Sequence, residues 1–361
     1  MTRPISRRTL LSAALAVGGG VYIHQRGLRY PTLSLEPRGL ANAFAHNNSQ
    51  WQLSDCFQTA HPTLTLRAFA PEPKISISGK SNHSVEFRLN NVAPDCELRS
   101  NLESVKETIS GIDRFITIPA NDLAEITLEW FFPYTDHYTF ASIGDTGGAD
   151  ELAWCLDRAH QLGAKFLLHL GDFYYQAGDY ETAIEHFYTA RIPCYVAIGN
   201  HDFHDGGLLH HQFTDFIGPF NHAFTLGATR FVNLDTAANF LPRSSGKRGT
   251  LVKELLSNDA QPTTVAFTHK PLHDPTGQSS HDIGHEGERD WLVKTLRALN
   301  APTLLSGHIH IFDRSEFAGI DNIIIGQGLG HQDLLTSDIG YSKMAVGTVN
   351  ANVTVDYHFG P

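Results

Sequence analysis

The pattern of apolar and polar residues changes once along the chain, near residue 135. From about Pro31 to Pro133, short segments such as "KISISG", "SVEFRLN" and "AEITLEWFF" alternate apolar with polar residues and are separated by turn residues. A period of two is typical of half-buried strands, so residues 31–135 are predicted to form an antiparallel β-sandwich-like domain. Because these residues contain no motif with evident chemistry, we interpret this domain as a packing or orienting module.

From about Asp136 onward, compact apolar segments alternate with amphipathic ones. Segments such as "YTFASIG", "KFLLHLG" and "TTVAFTH" are typical of buried strands, whereas "DELAWCLDRAHQLG" and "ERDWLVKTLRALN" have the spacing of helices. Alternating strands and helices predict a layered α/β fold for residues 136–361.

Polar side chains follow five of the predicted strands, at the point where each strand ends. They are Asp145 in "ASIGDTGG", Asp172, Tyr174 and Tyr175 in "LHLGDFYY", Asn200 and His201 in "VAIGNHDFH", His269 in "VAFTHKP", and His308 and His310 in "LLSGHIH". In α/β sheets, ligands bind beyond the carboxyl ends of the strands, so we expect these side chains to meet at one edge. Each motif alone could be a turn or a structural histidine, but their combination favours a metal site.

The motifs "GDTG", "GDFYY", "GNHD", "FTHK" and "GHIH" together resemble those of the calcineurin-like metallophosphoesterases, and among them the purple acid phosphatases. Two features point to the purple acid phosphatases. Gly147 stands where many relatives carry a histidine ligand, and Tyr175 follows Asp172 by three residues. The resemblance covers about residues 138–350. It implies a four-layer αββα metallophosphoesterase sandwich, an α/β fold, preceded by the smaller β-sandwich-like domain.

The resemblance also implies a binuclear metal centre. One ion would be bound by Asp145, Tyr175 and His310, the second by Asn200, His269 and His308, and Asp172 would bridge the two. Carboxylate and phenolate oxygens suit Fe(III), whereas imidazoles with an amide oxygen suit Fe(II), Zn(II) or Mn(II). Since a free tyrosine has a pKa of about 10, only a strongly charged ion would keep Tyr175 deprotonated at the working pH.

The activity that the resemblance implies is hydrolysis of a small phosphate monoester by attack of a metal-activated hydroxide at phosphorus. His201 resembles the family's histidine that hydrogen-bonds phosphate or protonates the leaving group, and Asp202 is expected to orient it. In "HDPTGQSSHDIGHEGE", one of His273, His281 and His285 is expected to face the substrate, and we favour His281. The alternative is that all three are solvated loop histidines.

Two other functions are weighed against this one. A phosphodiesterase or nucleotidase of the same superfamily would use the same metal centre on another substrate. A binding module on an inactive phosphoesterase scaffold would be expected to have lost ligands, whereas all seven ligand positions are filled. Nucleic acid is disfavoured as a partner, because the net charge is −11 with histidine neutral and a nucleic-acid surface would be basic.

The first 30 residues have the pattern of a twin-arginine export signal. Arg7 and Arg8 precede an apolar run from about Leu10 to Ile23, which is short for a membrane span and suits the apolar part of a signal. We therefore expect a periplasmic or secreted protein. The alternatives are a chance arginine pair before a short anchor, and an uncleaved signal that anchors the protein to the membrane.

The chain has four cysteines. Export permits disulfides, and Cys56 and Cys96 are the favoured pair because both lie in the N-terminal half. Cys155 and Cys194 are expected either to pair or to be two buried thiols.

Overall fold

The computed structural model describes residues 42–203, 210–237, 246–258, 262–277, 281, 283, 286–329, 343–350 and 353–359. The export signal predicted for residues 1–30 lies outside these residues. None of the described helices has the length and the apolar run that a membrane-spanning helix needs.

The first ten strands form a sandwich of two five-stranded sheets. These strands are β1 (Ala43–His46), β2 (Ser49–Ser54), β3 (Cys56–Gln58), β4 (Thr65–Ala68), β5 (Lys74–Ser81), β6 (Val85–Asn90), β7 (Glu97–Ser100), β8 (Lys106–Ser110), β9 (Asp113–Ile118) and β10 (Asn121–Phe131). The sheet orders are β1-β2-β5-β10-β7 and β3-β4-β6-β9-β8. Trp51 of one sheet packs edge-on against Phe87 of the other, with 5.2 Å between ring centroids. The sandwich predicted from the alternation is present, and the β4–β6 pair is parallel rather than antiparallel.

The following strands form two more sheets, which we call the C-terminal sheets. They are β11 (Tyr138–Ile143), β12 (Leu167–His169), β13 (Cys194–Val196), β14 (His222–Leu226), β15 (Thr229–Asn233), β16 (Thr263–Phe267), β17 (Thr303–Ser306), β18 (Phe312–Phe317), β19 (Ile320–Ile325), β20 (Lys343–Val349) and β21 (Val353–Phe359). Their orders are β13-β12-β11-β20-β21 and β14-β15-β16-β17-β19-β18. β11, β12 and β13 are parallel to one another, and so are β15, β16, β17 and β19. The carboxyl ends of these strands therefore lie side by side.

Helices cover the outer face of each C-terminal sheet. The helices are α1 (Asp150–Gln161), α2 (Asp179–Thr189), α3 (Gly246–Ser257) and α4 (Glu286–Ala298), with shorter helical turns at His201–Phe203, His210–Gln212 and Phe213–Ile217. Phe187 of α2 packs in one apolar cluster with Ile143 of the first sheet. Leu296 of α4 packs in another with Ala266 of the second sheet. The predicted four-layer order, helix–sheet–sheet–helix, is confirmed.

Aromatic rings fill the space between the two C-terminal sheets. Phe166, which directly precedes β12, lies 5.7 Å from Phe140 of the first sheet and 5.4 Å from Phe231 of the second, measured between ring centroids. Phe224 stacks on Phe231 at 5.0 Å. Such pairs add about 0.5–1.5 kcal/mol each beyond the burial of their area. This packing fixes the two sheets face to face and brings their strand ends together.

The cysteines differ from the sequence-based expectation. All four are free thiols and all four are buried, so the favoured Cys56–Cys96 disulfide was wrong. The thiols of Cys56 and Cys96 contact different carbonyl groups. Cys56 Sγ lies 3.9 Å from the oxygen of Lys74, and Cys96 Sγ lies 3.8 Å from the oxygen of Pro71. Burial raises the pKa of Cys96 to about 12, so this thiol stays protonated and unreactive.

Asn91 ties the N-terminal sandwich to the first C-terminal sheet. Its Nδ2 donates to the carbonyl oxygens of Ala68 and Cys194 at 2.8 and 3.0 Å, and its Oδ1 accepts the N–H of Cys194 at 2.8 Å. Asn91 is buried in a left-handed backbone conformation, with φ of 70°. The side chain thus satisfies both backbone groups of the residue that begins β13.

We expect Asn91→Ala to lower the free energy of unfolding by about 3 kcal/mol, because it leaves buried backbone groups of Cys194 without partners. Urea denaturation followed by circular dichroism measures the loss. Asn101→Ala is the matched control, since Asn101 also makes two bonds to backbone groups but at an exposed position. We expect that control to lose below about 1 kcal/mol. Equal losses in the two variants would contradict the assignment of Asn91 as a buried tie.

Candidate metal centre

The structure brings the seven predicted metal-ligating side chains together beyond the carboxyl ends of the two C-terminal sheets. Asp145, Asp172 and Asn200 follow β11, β12 and β13 of the first sheet, and His269, His308 and His310 follow β16 and β17 of the second. Tyr175 follows Asp172 on the same loop. The seven residues form two groups that meet at Asp172 and Asp145.

The first group surrounds Nε2 of His269. This nitrogen lies 2.8 Å from Oδ1 of Asn200 and 3.3 Å from Oδ2 of Asp172. Ligand atoms of Asp172, His269 and His308 all lie within 4.8 Å of one another. Oδ2 of Asp172 is buried and has no hydrogen-bond partner of good geometry among the described residues. A buried carboxylate oxygen of this kind fits a cation between these side chains.

The hydrogen bond on the far side of His269 fixes which of its nitrogens faces this group. Nδ1 lies 2.8 Å from the carbonyl oxygen of Leu170. Since a carbonyl only accepts, Nδ1 carries the proton and donates it. Nε2 is therefore the nitrogen that faces Asp172 and Asn200, and it would bind a metal ion in exchange for any proton that it carries, the arrangement typical of metal-binding histidines.

The second group contains Tyr175, His310 and Asp145. The Tyr175 hydroxyl lies 3.1 Å from Nε2 of His310 and 3.5 Å from Oδ1 of Asp145. Tyr174 is turned away and packs against Tyr180, with 5.6 Å between ring centroids. Burial, followed by the charges of the Asp145 and Asp172 carboxylates, raises the pKa of Tyr175 far above its ordinary value. A phenolate at this position would therefore need a strongly charged cation beside it.

Three residues of the centre have an unusual backbone. Asp145, Asp172 and His308 have φ values of 59°, 59° and 70°, in the left-handed region that non-glycine residues rarely adopt. Each is where the chain turns sharply after a strand, and the turn aims the side chain at the centre. Backbone strain of this kind concentrates at functional sites.

Two glycines permit the close approach of neighbouring chain segments. A Cβ at Gly199 would overlap the Asp172 carboxylate, and a Cβ at Gly307 would overlap that of Asp145. The N–H of the next residue, His308, donates to Oδ2 of Asp145 at 2.8 Å. Gly199 and Gly307 are therefore required by the close approach of these two carboxylates.

The charges of the centre are strongly coupled. Burial raises the pKa of Asp145. Burial would also raise that of Asp172, but the neighbouring His269 and His201 outweigh it and the pKa is lowered. Burial alone would lower the pKa of His269, and the Asp172 carboxylate instead raises it to about 9. For His308 burial prevails and lowers the pKa to about 2, so this ring is neutral and able to bind a metal.

The donor chemistry of the two groups fits the expected pair of ions. Asp145, Asp172 and Tyr175 offer anionic oxygens, which suit a hard trivalent ion. His269, His308 and Asn200 offer imidazole nitrogens and an amide oxygen, which suit a divalent ion.

Asp202 binds the backbone of two strand-end loops. Its carboxylate accepts the backbone N–H groups of Asp172 (3.0 Å), Phe173 (3.0 Å) and Gly199 (2.7 Å). Asp202 thereby holds the loop after β12 against the loop after β13. That it also orients the ring of His201 stays a prediction.

His201 lies at the centre. Its N–H donates to Oδ1 of Asp172 at 2.9 Å, and its ring lies 4.7 Å from that of Tyr175, measured between centroids. His281 lies on the opposite side, 6.0 Å from His308 between ring centroids, with 48% of its side chain exposed. Of the other two loop histidines, His273 stacks on Phe317 at 5.6 Å, and His285 lies outside the described residues.

Two supporting residues escaped the sequence analysis. Burial lowers the pKa of His169 to about 3, so its ring is neutral. Nδ1 of His169 accepts the N–H of Gly171, and Nε2 lies 2.9 Å from the hydroxyl of Thr146. Asp179 accepts the N–H of Tyr175 at 2.8 Å through Oδ2. The signal for Asp179 was its place three and four residues after Gln176 and Tyr175, since aspartates often bind backbone amides at this spacing.

Comparison with known proteins gives one family and a common fold. The family model described as calcineurin-like phosphoesterase matches residues 138–312. No curated protein sequence matches this chain. A purple acid phosphatase from yellow lupin (Lupinus luteus) seeds has a similar structure, with a TM-score of 0.53 at 14% identity over 85% of this chain and 72% of that one.

Two further solved structures are similar to this chain. PhoD has a TM-score of 0.47 at 13% identity over 80% of this chain and 84% of its own. A dimetal phosphatase from Danio rerio has a TM-score of 0.43 at 14% identity over 61% of this chain and 95% of its own.

The family match includes all seven residues of the candidate metal centre, from Asp145 to His310. Residues 138–312 of this chain therefore match the calcineurin-like phosphoesterases, a family of metal-dependent phosphoester hydrolases.

Proposed function

We propose that the protein hydrolyses small phosphate monoesters at a binuclear metal centre, as an acid phosphatase does. The observation that carries this proposal is that seven metal-competent side chains lie beyond the same strand ends, where ligand atoms of Asp172, His269 and His308 lie within 4.8 Å of one another. A scaffold retained only for binding would have no need of two strained carboxylates and three imidazoles at one point.

Each ion has its own set of residues in this proposal. Asp145, Tyr175 and His310 would hold Fe(III). Asn200, His269 and His308 would hold Fe(II), Zn(II) or Mn(II), and Asp172 would be shared by the two ions. When bound, the ions acidify a water molecule and polarise a phosphate oxygen. The tautomer of His269, which is set by Leu170, keeps Nε2 available for its ion.

Two histidines stand beside the places of these ions. His201, held through its N–H by Asp172 and packed on Tyr175, hydrogen-bonds the phosphate on one side. His281, exposed next to His308, reaches the ester oxygen on the other side and gives it a proton. Asp202 keeps the two strand-end loops at a fixed separation and does not contact the substrate.

Export to the periplasm or the medium is part of the proposal. It is supported by the Arg7–Arg8 pair and the apolar run that follows it. Twin-arginine export carries folded proteins, which would allow the metal centre to be assembled before export.

We expect His269→Ala to lower the rate of monoester hydrolysis by more than about 100-fold, because one ion loses a ligand whose tautomer is preset. The assay is release of nitrophenol from 4-nitrophenyl phosphate, together with the metal content per chain and a thermal melt. His273→Ala is the matched control, since His273 stacks on Phe317 outside the centre. A fully active and fully metallated His269→Ala protein would overturn the ligand assignment.

We expect the oxidised, iron-loaded protein to be purple and Tyr175→Phe to be colourless, because the colour arises from a phenolate bound to Fe(III). The visible absorption spectrum is measured beside the metal content. Tyr174→Phe is the matched control and should stay purple, as Tyr174 packs away from the centre. If the wild-type protein is active but colourless and holds only zinc or manganese, the phosphoesterase activity stands and the binding of Fe(III) by Tyr175 is wrong.

We expect 4-nitrophenyl phosphate to be hydrolysed at least about tenfold faster, in kcat/KM, than bis(4-nitrophenyl) phosphate. Both esters release the same chromophore, so one assay with one detector compares them directly. Faster hydrolysis of the diester would contradict the proposed monoesterase activity and favour a phosphodiesterase of the same superfamily.

A further inference from the structure

Asp274 is a buried carboxylate beside the metal centre that the proposed function leaves without a role. Only 7% of the residue is exposed. Its Oδ1 accepts two hydrogen bonds from Thr276, the N–H at 2.8 Å and the hydroxyl at 2.6 Å, which close a tight turn. Its Oδ2 is buried and has no hydrogen-bond partner among the described residues. The turn therefore explains the hydrogen bonds of Oδ1 but gives no reason for the burial of Oδ2.

The group that faces this second oxygen is the ring of His281. Nδ1 of His281 lies 3.7 Å from Oδ2 of Asp274. The same ring lies 6.0 Å from that of His308, between centroids, at an interplanar angle of 83°. His281 therefore stands between a buried carboxylate and the metal centre, and its half-exposed side chain can be reached by a ligand.

We propose that Asp274 is a positioning residue that accepts the Nδ1 proton of His281 and so leaves Nε2 of that ring for the leaving oxygen of the substrate. The proposal rests on the proposed phosphoesterase function. In an imidazole, the hydrogen bond made by one nitrogen decides the protonation of the other. The gap of 3.7 Å closes when the ester orders the ring, as contacts in ligand-free active sites often do.

The proton movements of this step balance. The oxygen of water bonds to phosphorus and releases one of its two protons to solvent, while the bond from phosphorus to the ester oxygen breaks. The leaving oxygen takes the proton of Nε2 and departs as an alcohol. His281 is then neutral with its remaining proton on Nδ1, toward Asp274, and a proton from solvent restores Nε2–H.

Asp274→Asn separates this role from that of the turn. The amide oxygen still accepts the two bonds from Thr276, but the amide nitrogen in place of Oδ2 cannot accept a proton from His281. Should this variant melt at a lower temperature than wild type, Asp274→Ser repeats the test, because a hydroxyl can also accept the N–H of Thr276. Asp290→Asn is the control, since it removes an equal charge from an exposed position on α4.

The experiment measures kcat and KM on two monoesters with the metal-loaded protein. Phenyl phosphate needs its leaving oxygen protonated, whereas 4-nitrophenyl phosphate has a leaving group that is stable as an anion. For Asp274→Asn we expect kcat on phenyl phosphate to fall about tenfold with little change in KM. We expect little change on 4-nitrophenyl phosphate. The double variant Asp274→Asn with His281→Gln should be no slower than His281→Gln alone.

The results that would contradict the role of Asp274 differ from the result that would contradict the proposed function. An Asp274→Asn protein with unchanged rates, an equal loss on both esters, or losses that add in the double variant overturns the positioning role. A wild-type protein that is fully metallated but hydrolyses neither ester overturns the proposed function, and the inference about Asp274 with it.

Discussion

The contact between Asp172 and His269 is the constraint on which the site depends, because it joins the two C-terminal sheets at their carboxyl ends. Asp172 follows β12 of one sheet and His269 follows β16 of the other, with 3.3 Å between Oδ2 and Nε2. The same imidazole donates from Nδ1 to Leu170, which also belongs to the first sheet's edge. A buried carboxylate without such partners costs several kcal/mol, at about the scale of a domain's whole stability. Neither sheet could hold its part of the centre without the other.

This constraint explains features that are far from any ligand. The left-handed backbones of Asp145, Asp172 and His308 cost about 1–3 kcal/mol each, and the surrounding packing must offset that. The aromatic rings between the sheets supply such packing. The N-terminal sandwich contributes as well, because Asn91 binds the first residue of β13, the strand that leads to Asn200. The N-terminal sandwich thus helps to position a candidate metal ligand.

Much of the fold could be predicted from the chain because its signals are local. Alternation in the N-terminal part and the strand–helix order after Asp136 depend on neighbours a few residues apart. The parallel β4–β6 pair could not be predicted, since the choice between parallel and antiparallel partners is made by distant strands. α3 was not predicted because it contains Gly246 and Gly249, which are poor helix formers. Its helicity depends on packing of residues such as Val252 against the second C-terminal sheet. The state of the cysteines could not be predicted either, because it depends on where the fold places each side chain and not on position in the sequence. All four are buried free thiols.

The candidate metal ligands could be proposed from the sequence for a related reason. Parallel strands place their ends side by side, so the residue types at the strand ends already define a set of possible donors. The supporting carboxylates could not be proposed in this way. Asp202 adjoins His201 in sequence, yet its oxygens bind the backbone amides of Gly199, Asp172 and Phe173. Asp274 adjoins His273, yet it faces a histidine seven residues further along the chain. At a tight turn, neighbouring side chains point apart, so adjacency in sequence is a poor guide to contact. What a buried carboxylate does is set by the donors that the fold presents to it. Asp202 faces three backbone amides and so holds two loops together, whereas Asp274 faces a single imidazole and so can orient the ring of His281.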